Sequence, residues 1–406
     1  MIGENFLKSN RIESLDSLRG IAAMIVVIFH CLLSYTAFYY ANYDYEFNNW
    51  LMGIFTLSPL HTIWAGKEAV LLFFVLSGFV LMIPFANNRK PLYLPYLIKR
   101  ICRIYIPYIV IMLVSVFIAV LFWEYNTLND LSPTFANRWE HEVSLKSIIA
   151  YIAMFNIDTA NVNGVVWTLF IEMKVSLYLP LFLLLIAKLE WKKGLIIALI
   201  INTGLHLGFG YANENVSFLP IKAFVAFFNE SFYYNYFFIL GAVLAKERNK
   251  LMAYSHVSGY AKVVLLLLSL VLINSRWISL ITTMYLENIE NFVTALGFAL
   301  LFLVVLTSKT VDEFLTKKYL LYLGKISFSL YLVHIPVLML TVVFLSKLIP
   351  TWAAFCLVPI FSVIVAHYSY KWIEDPAMKL GQRLSKLPLL QVTKKKKLKE
   401  SVIKYQ

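Results

Sequence analysis

Long uncharged apolar segments recur along this chain of 406 residues and limit the folds it can adopt. A helix needs about 20 apolar residues to cross the hydrocarbon core of a bilayer, and residues 104–123 are one of several such runs. Hydrophobic residues make up 60% of the chain and charged residues 15%, against roughly 45–50% and about 25% in soluble domains. The sequence therefore predicts an all-α, polytopic integral membrane protein and excludes a soluble enzyme, a nucleic-acid-binding module and a single-anchor protein.

Hydropathy over a window of about 19 residues predicts about ten transmembrane helices, with both termini on one side of the membrane. The first apolar run is too long for a secretory signal and is not followed by a small-residue cleavage site. The predicted spans are residues 17–38, 62–86, 104–123, 166–187, 194–210, 229–245, 259–275, 290–308, 323–346 and 350–371.

Positive charge is distributed unevenly between the predicted loops. If the N-terminus is cytoplasmic, 29 of the 36 Lys and Arg residues fall in cytoplasmic segments, where membrane proteins carry an excess of them. The net charge of +13 therefore indicates a face next to anionic lipids, with no nucleic acid as partner. We expect a multi-pass protein of the cell membrane, the inner membrane in a bacterium, with both termini cytoplasmic.

No predicted outer loop is long enough for a separate folded domain. We predict a single transmembrane domain at residues 1–375 and a basic cytoplasmic tail at residues 376–406, whose lysine run at 394–399 suits a lipid surface. Residues 144–154 fit a helix that lies on the outer face of the membrane. We predict no metal site, and the oligomeric state is left open.

The first predicted helix carries two ionisable residues on one face. Arg19 and His30 are 11 residues apart, which corresponds to about three turns and a rise of about 16 Å. A histidine near mid-membrane can be neutral and act as a general base at physiological pH. A neutral histidine bonded to a neighbouring helix is the alternative, and both stay open. Asp16, one turn before Arg19, is expected to pair with it.

A second basic element precedes the third span. Arg100 and Arg103 are three residues apart, so they are neighbours on a helix face. Two adjacent guanidinium groups suit phosphate groups that approach from the cytoplasm. Simple anchoring at the cytoplasmic face is the alternative.

Two further polar groups fall inside predicted spans. Glu172 follows Trp167 by five residues at the outer start of the fourth span, and a carboxylate there must face a polar cavity or a partner. His334 lies ten residues after Gly324, with Ser327, Ser329 and Tyr331 nearby. Because His334 precedes Pro336, it is expected either to bond a freed backbone carbonyl or to take part in function.

Six segments resemble, in order, the sequence blocks of the membrane acyltransferase type 3 family. The resemblance covers residues 11–383, and six blocks in the right order are far more specific than any one of them. It implies transfer of an acyl group, commonly acetyl from cytoplasmic acetyl-CoA, to hydroxyls of surface or exported glycans. The segments are RIESLDSLRGIAAMIVVIFH, AGKEAVLLFFVLSGFVL, KRICRIYIPY, WTLFIE, LGKISFSLYLVHIP and YKWIEDP.

The resemblance gives family roles to the basic residues already singled out. The family's Arg-x10-His pair corresponds to Arg19 and His30, and its RxxR motif corresponds to Arg100 and Arg103. The resemblance implies a catalytic role for the histidine and a donor-binding role for the three arginines.

Other family positions correspond to polar residues of the later spans. The Trp-Ser-Leu-x-x-Glu block corresponds to Trp167 and Glu172, with Thr168 in place of serine. The serine of the family's Ser-Gly-Phe is Ser77. The Tyr-x-x-His-x-Pro block corresponds to Tyr331, His334 and Pro336.

Two features depart from the family pattern. Some O-acetyltransferase relatives carry Gly-His-Glu before the second span, where this chain has Gly66, Lys67 and Glu68. Some relatives also continue into an extracytoplasmic esterase-like domain, and we expect none in this chain.

The expected mechanism combines these residues. Acyl-CoA, with acetyl-CoA as the expected co-substrate and no permanently bound cofactor, would dock its phosphates on Arg100 and Arg103 with help from Arg19. His30 would act as general base on a glycan hydroxyl, and Glu172, on the outer side, would orient the sugar or the imidazole. The glycan would reach the site directly, carried by a lipid. The alternative function is a transporter or flippase with a proton-coupled buried His/Glu site.

Overall fold

The structure, a computed structural model, describes residues 12–89, 91–125, 128, 130–139, 142–155, 159–282 and 287–387. Throughout these ranges the regular secondary structure is helical, which confirms the all-α, polytopic fold. The ten long helices of the described residues are α1 (Glu13–Leu33), α2 (Gly66–Ala86), α3 (Tyr93–Phe122), α4 (Trp167–Lys188), α5 (Trp191–Asn215), α6 (Leu219–Lys246), α7 (Gly259–Ile273), α8 (Glu287–Thr307), α9 (Lys318–Leu345) and α10 (Thr351–Ser369).

Eight helices in the described ranges are long and apolar enough to cross a membrane. They are α1 to α5, α8, α9 and α10 with its continuation to Leu384. α7 is apolar but has only 15 residues, and α6 carries polar residues such as Glu230 and Asn235. The multi-pass architecture is therefore established, and the count of ten spans stays a prediction.

Short helices occupy the connections between the long ones. The helix expected on the outer face at residues 144–154 is present as Leu145–Ile152, and its leucine and isoleucines include exposed side chains. The others are Thr36–Tyr43, Trp50–Leu57, Pro59–Ile63, Trp123–Tyr125, Pro133–Ala136, Ala160–Asn163, Arg248–Ala253, Tyr254–His256, Trp277–Thr282, Lys309–Leu315, Tyr370–Glu374 and Asp375–Leu384.

Two helix boundaries differ from the sequence prediction and affect the site. The first predicted span continued to residue 38, but α1 ends at Leu33 and the chain turns at Ser34. α3 begins at Tyr93 rather than at residue 104, because charged residues lower a hydropathy average without ending the helix. Arg100 and Arg103 therefore lie inside α3 and not in front of it.

α1 and α9 pack closely at a pair of glycines. A side chain at Gly20 would overlap the backbone of Gly324, and one at Gly324 would overlap the backbone of Asp16. Small residues of this kind let two helix backbones approach each other closely. The two helices run parallel, and His30 and His334 each follow their glycine by ten residues, about 15 Å along the axis. The contact therefore sets a register that brings the two imidazole rings to a centroid distance of 5.2 Å.

α2 and α6 are joined by a second pair of glycines. A side chain at Gly78 would overlap the backbone of Phe238, and one at Gly241 would overlap the backbone of Val75. The bundle has two distinguishable ends. We call the end at which α1 begins and α2 ends the basic end, and the other the opposite end; the sequence predicts that the basic end is cytoplasmic.

α10 continues through the π-helical turn Tyr370–Glu374 into the helix Asp375–Leu384. Gly381 of this helix packs against Cys102 of α3, where a side chain would meet the cysteine Cβ at 2.8 Å. The boundary predicted at residue 376 falls inside this helix, because a proline is tolerated in a first helical turn. The lysine run predicted at residues 394–399 lies outside the described residues.

Replacement of Gly324 by alanine tests the close contact between α1 and α9. We expect Gly324→Ala to destabilise the fold by about 1–3 kcal/mol, because the new methyl group must displace the backbone of α1. The matched control is Gly208→Ala in α5, where a side chain would meet no atom within 4 Å. Alanine there should be neutral or stabilising by up to about 1 kcal/mol. Thermal midpoints of the purified protein measure both, and equal midpoints would contradict the close contact.

Candidate functional site

A cavity of about 610 Å³ lies near the basic end, between α1, α2, α3, α4 and α9. Its walls are apolar where α2 contributes Phe73 and Phe74. Cationic side chains and a carboxylate supply the polar part of the lining. These charged residues are Arg19, Lys99, Arg100, Arg103, Lys386 and Glu172.

The centre of this first cavity is an ion pair between α3 and α4. Arg100 Nη2 donates to Glu172 Oε1 at 2.7 Å, and Arg100 Nε donates to Ser176 Oγ at 3.0 Å. Glu172 and Ser176 are four residues apart, so they present their oxygens on one face of α4. Ser77 of α2 donates to the same carboxylate oxygen at 3.0 Å. Arg100 is 8% exposed, so a partner for its charge is a physical requirement.

Arg19 projects from α1 toward α2 in the same cavity. Its Nη2 donates to the Leu76 carbonyl at 3.1 Å, and its Nη1 lies 3.5 Å from Asp16 Oδ1. The pair predicted between Asp16 and Arg19 is therefore formed. Arg103 lines the cavity one turn along α3 from Arg100, as the spacing predicted.

A second cavity, of about 810 Å³, lies toward the opposite end. Its walls contain His30 near the end of α1, Arg138 from the connection before α4, and Trp167 at the start of α4. Tyr39, Tyr43 and further polar side chains complete a lining of aromatic and hydrogen-bonding groups. Cavities of this size are typical of small-molecule sites.

His30 lies between a cation and a second imidazole. The Nδ1 atom of His30 is 3.4 Å from Arg138 Nη2, and its ring faces that of His334. The Nδ1 atom of His334 donates to the Tyr331 carbonyl at 2.8 Å. His30 therefore contacts an arginine of a connection and a ring of α9, and its half-buried imidazole also lines a cavity; both roles left open for it stay predictions.

The carbonyl that Pro336 leaves without its helical donor is that of Leu332. This carbonyl accepts a hydrogen bond from Asn163 Nδ2 at 3.1 Å. The expectation that His334 bonds the freed carbonyl is wrong, because its Nδ1 atom donates to the carbonyl of Tyr331 instead.

Tyr331 lines both cavities, and so does Val70. The hydroxyl of Tyr331 donates to the Val165 carbonyl at 2.9 Å and lies 2.8 Å from Thr168 Oγ1. The ring of Phe73 packs edge-on against it at a centroid distance of 5.7 Å. Tyr331 thus forms part of the wall shared by the two cavities.

The structure corrects the expected position of Glu172. The sequence suggested an outer carboxylate close to His30, but Glu172 lines the first cavity and is held by Arg100. Trp167 lines the second cavity, where it packs against Tyr234 at 5.3 Å. The wall between the cavities therefore crosses α4 within its first turns, a position that hydropathy cannot locate.

The second cavity has a rim of ion pairs. Lys67 Nζ lies 3.0 Å from Glu287 Oε1, and Arg276 Nε lies 3.7 Å from Glu68 Oε1. Lys67, at the position where some relatives have histidine, is thus joined to α8. Among the described residues, no group of three or more His, Cys, Asp or Glu side chains could hold a metal ion.

Arg138 lines the second cavity next to His30, and the sequence prediction missed it. It lies outside the predicted spans, in a connection that hydropathy treats as an exposed loop. The available signal was an arginine beside Trp139 in an outer loop, where positive charge is rare.

The fold and the two cavities define a polytopic membrane protein with an internal polar site. A family model described as an acyltransferase domain matches residues 12–370, nearly the whole chain. The chain therefore belongs to the acyltransferase 3 family and is a membrane acyltransferase. No curated protein and no solved structure matches it.

A double-mutant cycle tests the ion pair between Arg100 and Glu172. Removal of either partner leaves a buried charge without compensation, so Arg100→Met and Glu172→Gln should each lower the thermal midpoint. The double variant should lose less than the sum of the two, with a coupling energy of at least about 1 kcal/mol. Additive losses would show that the pair does not contribute to stability.

Proposed function

We propose that this acyltransferase moves an acyl group, acetyl being the expected one, from cytoplasmic acyl-CoA to a hydroxyl of a cell-surface or exported glycan carried by a lipid. The observation that carries the proposal is the pair of cavities that share a wall at Tyr331. The first cavity is lined by five cationic side chains and one carboxylate, so its net charge is positive. In the second cavity three cationic side chains are balanced by three carboxylates, beside an imidazole and aromatic rings. This arrangement suits a polyanionic donor on one side and a polar, uncharged acceptor on the other.

The first cavity is the proposed donor site. Arg100 is engaged by Glu172 and Ser176, so we assign the donor phosphates mainly to Arg103. Arg19 and Lys99 add further positive charge to the lining. Guanidinium and ammonium groups form strong charge-assisted hydrogen bonds with phosphate oxygens. The apolar lining supplied by α2 suits the thin pantetheine arm, which would place the thioester next to Tyr331.

The second cavity is the proposed acceptor site, with His30 as the general base. The acceptor hydroxyl oxygen attacks the thioester carbonyl carbon while His30 removes its proton. The tetrahedral intermediate then collapses, the carbon–sulfur bond breaks, and the CoA thiolate takes the proton from the imidazolium. Because the donor and His30 lie on different sides of Tyr331, its side chain must move to let the thioester reach the imidazole.

A transporter with one coupled His/Glu site is less consistent with the structure. His30 and Glu172 line different cavities, and Glu172 is already paired with Arg100. In the proposed acyl transfer the donor binds in one cavity and the acceptor in the other, so His30 and Glu172 do not have to share one site.

Replacement of His30 tests the assignment of the general base. We expect His30→Ala to lower transfer from labelled acetyl-CoA to a glycan acceptor by about 10²–10⁴, because no other group would remove the hydroxyl proton. Binding of acetyl-CoA should persist, since the donor site lies in the other cavity. The control is His256→Ala in an exposed turn of the chain. Normal transfer by the His30 variant would refute the assignment.

Replacement of Arg103 distinguishes a role in donor binding from a role in membrane anchoring. We expect Arg103→Ala to raise the KM for acetyl-CoA by about tenfold or more, because a hydrogen bond to a charged phosphate is lost. Lys309→Ala removes an exposed cation that does not line the cavity, and its KM should match that of the unmodified protein. An unchanged KM in the Arg103 variant would assign this arginine to anchoring.

A further inference from the structure

Arg138 is buried, which is unusual for a charged residue in a connection between helices. It is 3% exposed and lines the second cavity next to His30, although it belongs to the connection between α3 and α4. Burial lowers its pKa to about 10, so the guanidinium stays charged at neutral pH. A buried cation in contact with the proposed base calls for a functional explanation.

The connection that carries Arg138 is held firmly against α1. Ser132 Oγ donates to the Leu33 carbonyl at 2.6 Å, and the Ser132 amide donates to the Ser34 carbonyl at 2.8 Å. Trp139, the next residue after Arg138, is buried and has a φ of 59°, a left-handed conformation that bulky residues seldom adopt. Such a conformation persists only where the surrounding packing imposes it. The guanidinium is therefore placed by the fold.

Hydrogen-bond chemistry assigns the protons of the two imidazoles. A guanidinium can only donate, so the Nδ1 atom of neutral His30 presents its lone pair to Arg138 and Nε2 carries the proton. A carbonyl can only accept, so His334 is protonated on Nδ1, next to the Tyr331 carbonyl. His334 Nε2 then carries a lone pair, and it makes no hydrogen bond among the described residues. The two assignments do not conflict, because only one of the two Nε2 atoms carries a proton.

In this tautomer Nδ1 is the nitrogen of His30 that can accept a proton. An acceptor hydroxyl that donates to Nδ1 must lie beside the guanidinium of Arg138. The distance of 3.4 Å between Nδ1 and Nη2 is long for a hydrogen bond, so the present contact is weak and can be replaced. A carbonyl carbon attacked by that hydroxyl would carry its oxygen within reach of the same guanidinium.

We propose that Arg138 is a catalytic residue that stabilises the oxyanion of the tetrahedral intermediate, with Nδ1 of His30 as the atom that removes the acceptor proton. The inference rests on the proposed acyl transfer. As the hydroxyl oxygen bonds to the acyl carbon, its proton passes to Nδ1 and the carbonyl electron pair moves to the oxygen that faces Arg138. When the carbonyl re-forms, the carbon–sulfur bond breaks and the CoA sulfur receives the proton from Nδ1.

Steady-state kinetics of Arg138→Gln test the proposal with the full-length, reconstituted protein. We expect kcat for transfer from labelled acetyl-CoA to a glycan acceptor to fall by about 10²–10³, the usual loss when one oxyanion donor is removed. The KM for acetyl-CoA should not change, because the donor phosphates bind in the first cavity. A purely structural role would instead lower the thermal midpoint and the amount of active protein together. An unchanged kcat overturns the proposal.

Two further variants keep the test decisive. If Arg138→Gln does not fold, Arg138→Lys is the substitute, because it keeps the positive charge but loses the planar guanidinium with its paired donors. We expect its kcat to fall by about tenfold or more. An unchanged kcat would overturn the proposal. Lys347→Gln is the control, because it removes an exposed cation of the opposite end outside the cavity. Absence of transfer by the unmodified protein would refute the acyl-transfer proposal and this inference with it. If the unmodified protein transfers the acyl group but Arg138→Gln changes both kcat and the KM for acetyl-CoA, only the role of Arg138 is refuted.

Discussion

The close contact between Gly20 and Gly324 is the constraint on which the site depends. It lets α1 and α9 run parallel in direct backbone contact, and both helices carry a histidine ten residues further along. The register thus places His30, His334 and the nearby Tyr331 at one level of the bundle. Packing of backbone against backbone, and not a polar contact, determines where the polar groups meet.

A difference in net charge between the two cavities is the second organising feature. The first cavity has an excess of cations around one paired carboxylate, whereas in the second the cations are balanced by carboxylates, beside an imidazole and aromatic rings. Buried charges are costly within a bilayer, so each must be paired or face a polar cavity. Tyr331 and Val70 form part of a common wall, and in the proposed transfer a movement of Tyr331 would admit the thioester while limiting access of water.

Much of the fold follows from hydropathy, because apolar runs of membrane length leave few alternatives to helices. Spacing along α1 was enough to put Arg19 and His30 on one side, since both belong to one regular helix. The partner of Glu172 could not be predicted in the same way, because the tilt and rotation of α4 against α3 depend on packing. Arg138 was missed for a different reason: its position depends on how an outer connection folds back over α1, and no periodic pattern records that path.

Transfer across a sealed membrane is the most direct test of the account. Vesicles that contain the protein in one orientation would receive labelled acetyl-CoA on the side of the basic end and a membrane-impermeant glycan acceptor on the other. Neither substrate crosses a lipid bilayer unaided, so label on the glycan reports transfer through the protein. The account predicts labelled glycan and free CoA on opposite sides. Label that appears only when both substrates share one side would contradict it.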